Sequence, residues 1–154
     1  MQEIKQQLET NLEQLKKELE GFIDFFEQGY DYRIMIYELW DAKNILGHIT
    51  FWHESFAKNI SDLANERIPN PLKGKLSEVN RLSVESTNAV SIADLIIRIQ
   101  QAQNTIEQYI FDKRIEHIPY KKGSRDYSRI EHLQIVKNHI QKHLKDLKKQ
   151  YGKN

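Results

Sequence analysis

The sequence has no cysteine among its 154 residues, which excludes disulfides and thiolate chemistry by the protein itself. It has only 6 glycines and 3 prolines, so few positions interrupt a helix. No apolar run approaches the roughly 20 residues that span a membrane, so no membrane association is expected. The formal net charge of +1 gives no general attraction to nucleic acid, so that class of partner is not expected either.

What the sequence does contain favours an all-α protein. Charged residues make up 29% of it, and the good helix formers Gln, Glu, Lys and Leu are common. The length suits a single domain over residues 1–154 with a full core. The N-terminal segment is polar and helical in pattern, unlike a secretory signal, so we expect a cytoplasmic protein.

The stretch from Trp40 to Leu63 has a clear amphipathic helical pattern. Its apolar residues recur at three- and four-residue spacing and therefore share one face of a helix: Ile45, Ile49, Trp52, Phe56, Ile60 and Leu63. Asp41 stands where an N-cap is expected, because its carboxylate can accept from the free N–H groups of the first turn. Trp40 precedes it and can pack against the helix start.

Three further long helices are predicted, and two of them begin at capping sequences. Ser91 and Asp94 resemble a capping box, with Asp in place of the usual Glu. Ser128 and Glu131 form a regular one, in which hydroxyl and carboxylate each accept from a free backbone N–H. The predicted ranges are residues 2–28, 91–111 and 128–151.

The connection between the second helix and the next long helix is unusually long. It has roughly 25 residues, against the 2–8 usual between antiparallel neighbours in bundles. Pro69 and Pro71 interrupt it, and a short helix is predicted from Ser77. Because a connection of this length suits a crossover, the second and third long helices are predicted to be parallel. The expected fold is an all-α four-helix bundle in down-up-up-down order.

The segment over residues 29–39 is aromatic and lacks a helical period, so it is predicted to be an ordered loop or one helical turn across a bundle end. Two interpretations of its tyrosines stay open. Tyr30, Tyr32 and Tyr37 line the mouth of a cavity, or they are half-buried packing residues, which is the commoner role of aromatic side chains.

Six histidines are present, and several border apolar stripes in a way that suits a metal site. His139 and His143 are four residues apart on one flank of the last helix, and His132 lies on the same edge. His48 borders the stripe of the second helix similarly. A third imidazole added to the His139–His143 pair leaves an open coordination position and suits Zn²⁺, Ni²⁺ or Fe²⁺. The alternative is that these histidines are solvated or bonded to backbone carbonyls.

Two stretches resemble the ClbS/DfsB family of the DinB-like superfamily. The stretch WDAKNILGHITFWHESF is similar to the family's second-helix signature, which it matches at Trp40, Lys43, Leu46, His48, Ile49 and Trp52. The stretch KNHIQKHLKDLKKQY is similar to the family's ending, with histidines at 139 and 143. The middle of the chain also resembles such proteins, although the segment before the last helix lacks the Trp that family members often carry there.

The resemblance implies a DinB-like four-helix bundle in down-up-up-down order. Superfamily members commonly bind a divalent metal through one histidine on the second helix and two on the last, which correspond here to His48, His139 and His143. Some relatives are metal-dependent transferases or isomerases that use low-molecular-weight thiols, whereas the resistance branch hydrolyses a genotoxin. DinB-like bundles also often pair through long helices, so a homodimer is expected.

Three functional hypotheses follow. The first is a divalent-metal-dependent hydrolase or thiol transferase acting on a small molecule, with Asp41 or Glu54 as a base or as a partner of a ligand. The second is a metal-free small-molecule binding or resistance protein of the ClbS/DfsB type. The third is a structural protein in which the histidines are incidental. The candidate pocket residues are Trp40, Asp41, Trp52 and His132, and no catalytic residue is assigned.

Overall fold

The computed structural model describes residues 2–152, and its regular structure over that range is helical. Five helices are present: α1 Gln2–Phe25, α2 Ala42–Ala64, α3 Leu76–Glu85, α4 Ile92–Tyr109 and α5 Arg129–Tyr151. Three isolated β-bridges occur in the connections, and no strand forms within the described residues. None of these helices is both long and apolar enough to cross a membrane. The predicted all-α class is confirmed.

Contacts between α1 and α5 show that these two helices run in the same direction. The Gln141 amide donates to Glu18 Oε1 at 3.1 Å, and at the far end the rings of Phe25 and Tyr151 lie 5.0 Å apart. Residue numbers therefore rise together along both helices.

α2 runs antiparallel to α5. The rings of His48 and His139 lie 5.0 Å apart, whereas Phe56, two turns further along α2, stacks at 4.0 Å on His132, which comes earlier in α5. As residue numbers rise along α2, those of its neighbours in α5 fall.

α2 and α4 also run parallel to each other. At the start of α2, the Lys43 ammonium donates to the backbone carbonyl of Asn88, shortly before α4 begins, at 2.6 Å. Further along both helices, His53 Nε2 and Gln103 Oε1 lie 2.8 Å apart. The long connection through α3 joins these helices as a crossover. The predicted four-helix bundle in down-up-up-down order is therefore confirmed.

The start of α2 is fixed by the predicted cap. Asp41 Oδ1 accepts from Asn44 N at 2.8 Å, and Asn44 Oδ1 accepts from Asp41 N at 2.9 Å, so the two side chains form a reciprocal capping box. Ser128 and Glu131 form the same arrangement at the start of α5. These bonds determine where α2 and α5 begin. They therefore also determine the position of the histidines of both helices along the bundle axis, that is, their height.

α1 ends at Phe25, earlier than the predicted residue 28, because a tyrosine from the following loop satisfies its end. The Tyr32 hydroxyl donates to Phe25 O at 2.6 Å and accepts from Gln28 N at 3.1 Å. Gly29 then takes a positive φ of 76° and turns the chain away. α4 likewise ends at Tyr109 rather than 111, where the chain tightens into a turn closed by Asp112 N and Tyr109 O.

The core lies between α1, α2, α4 and α5, and a close approach beside it positions the histidines. Its fully buried side chains include Leu15, Phe22, Ile45, Ile60, Leu95 and Ile106. Gly47 of α2 faces Thr87, just after α3, so closely that a Cβ at this glycine would lie 2.0 Å from Thr87 Oγ1. The missing side chain lets the end of α3 pack directly on α2, next to His48.

Candidate metal centre

Three histidine imidazoles converge where α2 faces α5. His139 Nε2 lies 3.2 Å from His48 Nε2 and 3.0 Å from His143 Nε2. One ligand nitrogen from each ring lies within 4.8 Å of the other two. His48 and His143 are buried, and His139 is half-buried. The side chains therefore adopt the convergence that helix geometry and the family resemblance predicted, whereas metal binding by them stays a prediction.

The hydrogen bonds behind His48 decide which of its ring nitrogens carries the proton. Ser83 Oγ lies 3.0 Å from His48 Nδ1 and donates its proton to the carbonyl of Asn80 at 2.6 Å. Since a serine hydroxyl has one proton, His48 Nδ1 is the donor to Ser83, and the Nε2 lone pair points to the other histidines. Asn80 is held in turn, because its side-chain oxygen accepts from Trp52 Nε1 at 2.9 Å.

A second chain of hydrogen bonds decides the proton position on His143. The Tyr37 hydroxyl lies 2.9 Å from His143 Nδ1 and donates to Asp146 Oδ2 at 2.5 Å. Burial, followed by the bond to Asp146, raises the pKa of Tyr37, so the phenol keeps its proton. The phenol oxygen therefore accepts from His143 Nδ1–H, and the Nε2 lone pair of His143 faces His139.

With both outer histidines in this tautomer, the cluster holds too few protons to satisfy both of its internal contacts. A single Nε2–H on His139 can be donated to one neighbour at a time, which leaves the Nε2 lone pair of the other neighbour without a donor, no more than 3.2 Å from the His139 nitrogen. A cation satisfies all three lone pairs, since nitrogens bound at about 2.0–2.1 Å with tetrahedral or octahedral angles are about 2.8–3.4 Å apart. The donor set and its spacing fit a divalent ion with three protein ligands.

Burial keeps the three imidazoles neutral. It lowers the pKa of His48 to about 2, with smaller contributions from His139 and His143. It lowers the pKa of His143 to about 3, with contributions from His139 and Lys142, and burial with Lys142 lowers the pKa of His139 to about 4. Neutral imidazole is the form that ligates metal ions, so all three rings are ready to bind at neutral pH.

An open groove lies beside the histidines, and its residues contact them. It has a volume of about 590 Å³, which suits a small molecule, and it separates loop residues 37–40 from α3. Tyr37 bonds His143, and the Trp40 ring lies 4.6 Å from the His48 ring. The wall from α3 consists of Ser77, Asn80, Arg81, Val84 and Glu85. Tyr37 is therefore at a cavity mouth, as one interpretation of the aromatic loop held.

The remaining two tyrosines of that loop follow the packing interpretation. Tyr32 is buried at the end of α1, where its ring lies 5.8 Å from that of Phe25. Tyr30 is 48% exposed and packs 5.6 Å from the ring of Tyr151. These rings hold the loop to α1 and α5, which leaves Tyr37 as the loop's contact with the histidines.

Two predicted pocket residues line a smaller cavity instead of the groove. Trp52 and His132 border a space of about 20 Å³, enough for one water, whose wall also includes His139. His132 stacks on Phe56, with ring centroids 4.0 Å apart, and Trp52 stacks on Tyr120 at 4.9 Å. The Nδ1 atom of His132 is buried without a hydrogen-bond partner among the described residues. His132 is thus separate from the three-histidine cluster.

The structure gives Asp41 and Glu54 structural partners rather than places in these cavities. Asp41 caps α2 and pairs with Arg33, its Oδ2 lying 3.2 Å from the guanidinium Nε. Glu54 accepts two hydrogen bonds from Arg98 of α4, at 2.9 and 2.5 Å. Neither residue lines the groove or the small cavity, so the geometry does not support either as a base or as a partner of a metal ligand.

Sequence reasoning missed two residues that support the outer faces of the histidines, Ser83 directly and Asp146 through Tyr37. Asp146 lies on the same face of α5 as His143, three residues on, and this spacing was a usable signal. Ser83 sits on the short helix, where it is fully buried although nothing in the local pattern marks it. Its role depends on where α3 packs, which the sequence does not specify locally.

Comparison with known proteins gives a structural match and no match at the level of sequence. No protein-family model matches the chain, and no curated protein matches it. Among solved structures, it is similar to the mycothiol-dependent maleylpyruvate isomerase and to a variant of that enzyme with a histidine replaced by alanine, at 11% and 10% identity. Both superpositions have a TM-score of 0.73 and cover 91% of this chain. The chain spans 60% of the length of that enzyme, and the likeness establishes the DinB-like fold alone.

Proposed function

We propose that this protein is a divalent-metal-dependent enzyme that acts on a small molecule, with His48, His139 and His143 as the metal ligands. The observation that carries the proposal is the convergence of three Nε2 atoms, since that of His139 lies 3.0 Å from that of His143 and 3.2 Å from that of His48. A bound Zn²⁺, Ni²⁺ or Fe²⁺ would lower the pKa of a water or thiol in its open position. The reaction class is hydrolysis or transfer of a thiol.

The groove supplies the binding side of this proposal. Trp40 and Tyr37 form its aromatic wall and also contact the histidine cluster, so the groove and the cluster share these two side chains. The opposite wall offers the Arg81 guanidinium, which pairs with Glu85 at 2.9 Å. Aromatic contact with a small number of polar groups is the usual composition of small-molecule sites.

Any thiol used in the reaction has to come from outside the chain, because the sequence has no cysteine. The structural neighbour is named for its dependence on mycothiol, a low-molecular-weight thiol. A thiol co-substrate of this kind is therefore part of the transferase version of the proposal, whereas the hydrolase version needs only water.

The test is metal content in protein purified without a histidine tag. We expect about one equivalent of a divalent metal per chain, none in His139→Ala, and an unchanged amount in the control His132→Phe, whose residue lies on the same helix outside the cluster. Full metal content in His139→Ala contradicts the ligand assignment. Replacement of the metal by Co²⁺ then separates the two reaction classes, because a thiolate bound to Co²⁺ adds a charge-transfer absorption band and water does not.

A metal-free small-molecule binding or resistance protein of the ClbS/DfsB type is the second candidate. It is supported by the tryptophan–histidine pattern at and before the start of α2, since Trp40 packs on His48, with ring centroids 4.6 Å apart. In this version the groove is the whole site, and His48 supports it from behind the Trp40 ring. Wild-type protein that binds no divalent metal in titrations would favour this candidate over the metal-dependent enzyme.

A further inference from the structure

We infer that Tyr37 is a positioning residue for the metal ligand His143, and that it acts through a relay running from Asp146 through its phenol to the imidazole. The inference deepens the proposed function and rests on it for the metal, but its tautomer component concerns the metal-free protein as well. It assigns a role to a loop side chain that comes from outside the helices carrying the histidines.

The loop before α2 is built to place this phenol. Its backbone is closed by hydrogen bonds from Ile36 N and Tyr37 N to Trp40 O, at 2.9 and 3.1 Å. It is fastened to the start of α2 by Ala42 N, which donates to Ile34 O at 3.1 Å. Tyr37 therefore lies in a hydrogen-bonded turn, and its side chain contacts α5 from a backbone held in place on α2.

The two outer ligands differ in what stands behind them. The bond from His48 Nδ1 to Ser83 ends at the neutral carbonyl of Asn80. The bond from His143 Nδ1 to Tyr37 ends at the carboxylate of Asp146. A carboxylate behind a histidine makes the imidazole a stronger donor to a metal and fixes its tautomer. Because the phenol transmits this charge, His143 is the ligand whose basicity and orientation depend on a residue of the loop.

Tyr37→Phe removes the phenol oxygen and keeps the ring against Trp40, whose centroid lies 6.4 Å away. We expect the affinity for Zn²⁺ to fall about 10–100-fold, as for other removals of a ligand's hydrogen-bond partner. We expect a smaller fall in Zn²⁺ affinity for Asp146→Asn, because this substitution keeps an acceptor for the phenol and removes only the charge. The control Tyr30→Phe changes an exposed tyrosine of the same loop and is expected to stay within about twofold of wild type.

The ¹⁵N shifts of the His143 ring in metal-free protein provide the readout that a merely structural role would not move. Wild type is expected to show Nδ1–H with an unprotonated Nε2, and Tyr37→Phe a mixture of the two tautomers. An unchanged tautomer in Tyr37→Phe overturns the inference, whether or not metal affinity falls. Failure of wild type to bind any metal overturns the proposed enzyme, and the ring shifts then still decide the tautomer role. Should Tyr37→Phe not fold, Asp146→Ala, which removes the acceptor of the phenol proton, is measured in the same way, and an unchanged shift pattern there also counts against the relay.

Discussion

Gly47→Ala is the substitution for which the structure predicts the clearest loss. The glycine sits inside α2 directly before His48, and a Cβ there would lie 2.0 Å from Thr87 Oγ1 and 2.8 Å from Thr87 Cβ. Thr87 cannot move aside freely, because it is 2% exposed and its hydroxyl donates to Ser83 O at 2.7 Å. The added methyl group therefore forces α2 and the end of α3 apart.

Two opposing effects set the magnitude. Alanine inside a helix is favoured over glycine by roughly 0.5–1 kcal/mol. Overpacking of a closely packed contact costs about 1–3 kcal/mol, and the overlap here is with atoms held by a buried hydrogen bond. We expect the clash to exceed the gain, for a net loss of about 1–2 kcal/mol and a fall in Tm of roughly 2–8 °C.

Gly21→Ala is the matched control within the same protein. It lies inside α1, and its Cβ would meet only Leu144 Cδ2 at 3.4 Å. Without a clash, the helix preference of alanine remains, so we expect a gain of up to about 1 kcal/mol. The two glycine substitutions should therefore change stability in opposite directions.

Urea denaturation of both variants, together with Thr87→Ala and the double variant Gly47→Ala/Thr87→Ala, completes the test. Removal of the threonine hydroxyl should recover part of the loss, giving a favourable coupling of about 0.5–1 kcal/mol. Gly47→Ala with wild-type stability, or additive effects in the double variant, would refute the reasoning. We also expect Gly47→Ala to weaken metal binding, because Thr87 bonds Ser83, the partner of His48.

Four other measurements test single features. Burial lowers the pKa of His132 to about 4, below about 6.5 in the unfolded chain, so protons taken up on unfolding reduce stability as pH falls from about 6.5 to 4. In urea denaturation of the metal-free proteins over that window, the free energy of unfolding of His132→Phe should fall by up to about 1.4 kcal/mol less per pH unit than that of wild type. Equal slopes against pH in the two proteins would contradict this. Asp41→Asn should keep the helix cap, whereas Asp41→Ala should lower the free energy of unfolding by about 1 kcal/mol. Both variants should keep the metal content of wild type, and loss of metal in Asp41→Asn would restore Asp41 as a site residue. Ser128→Ala should cost α5 about 1 kcal/mol in thermal unfolding, and an unchanged Tm would contradict the capping role. Sedimentation at micromolar concentration should give a dimer mass, and a monomer mass would count against the expected homodimer.

The features predicted correctly from the sequence are those that depend on a few neighbouring residues. The capping box of α5 needs only Ser128 and Glu131, and both of its bonds are present. The cap of α2 was predicted from Asp41 alone, although Asn44 supplies the return bond. The parallel arrangement of α2 and α4 followed from the length of the connection, which is a global property that can still be counted along the chain.

The surroundings of the histidines could not be predicted, because they depend on contacts between distant residues. Tyr37 lies 106 residues from His143 and 109 from Asp146, so no local pattern relates the loop to α5. The early end of α1 has the same origin, since it depends on Tyr32 folding back to Phe25. Packing of the loop decides both, and the tyrosine pattern alone favoured packing residues over a cavity mouth without distinguishing Tyr37 from Tyr30 and Tyr32.

The separation of His132 from the cluster shows why angle around a helix is not sufficient to define a site. His132 and His139 are seven residues apart and share one flank of α5, differing by only about 20°. They also differ by about 10 Å along the helix axis, which is too far for two imidazoles to bind one ion. Because α2 is antiparallel, that rise brings His132 opposite Phe56 and places His139 opposite His48. A flank of histidines therefore becomes a three-ligand site only at the height where the neighbouring helix offers a third, and the two capping boxes determine that height.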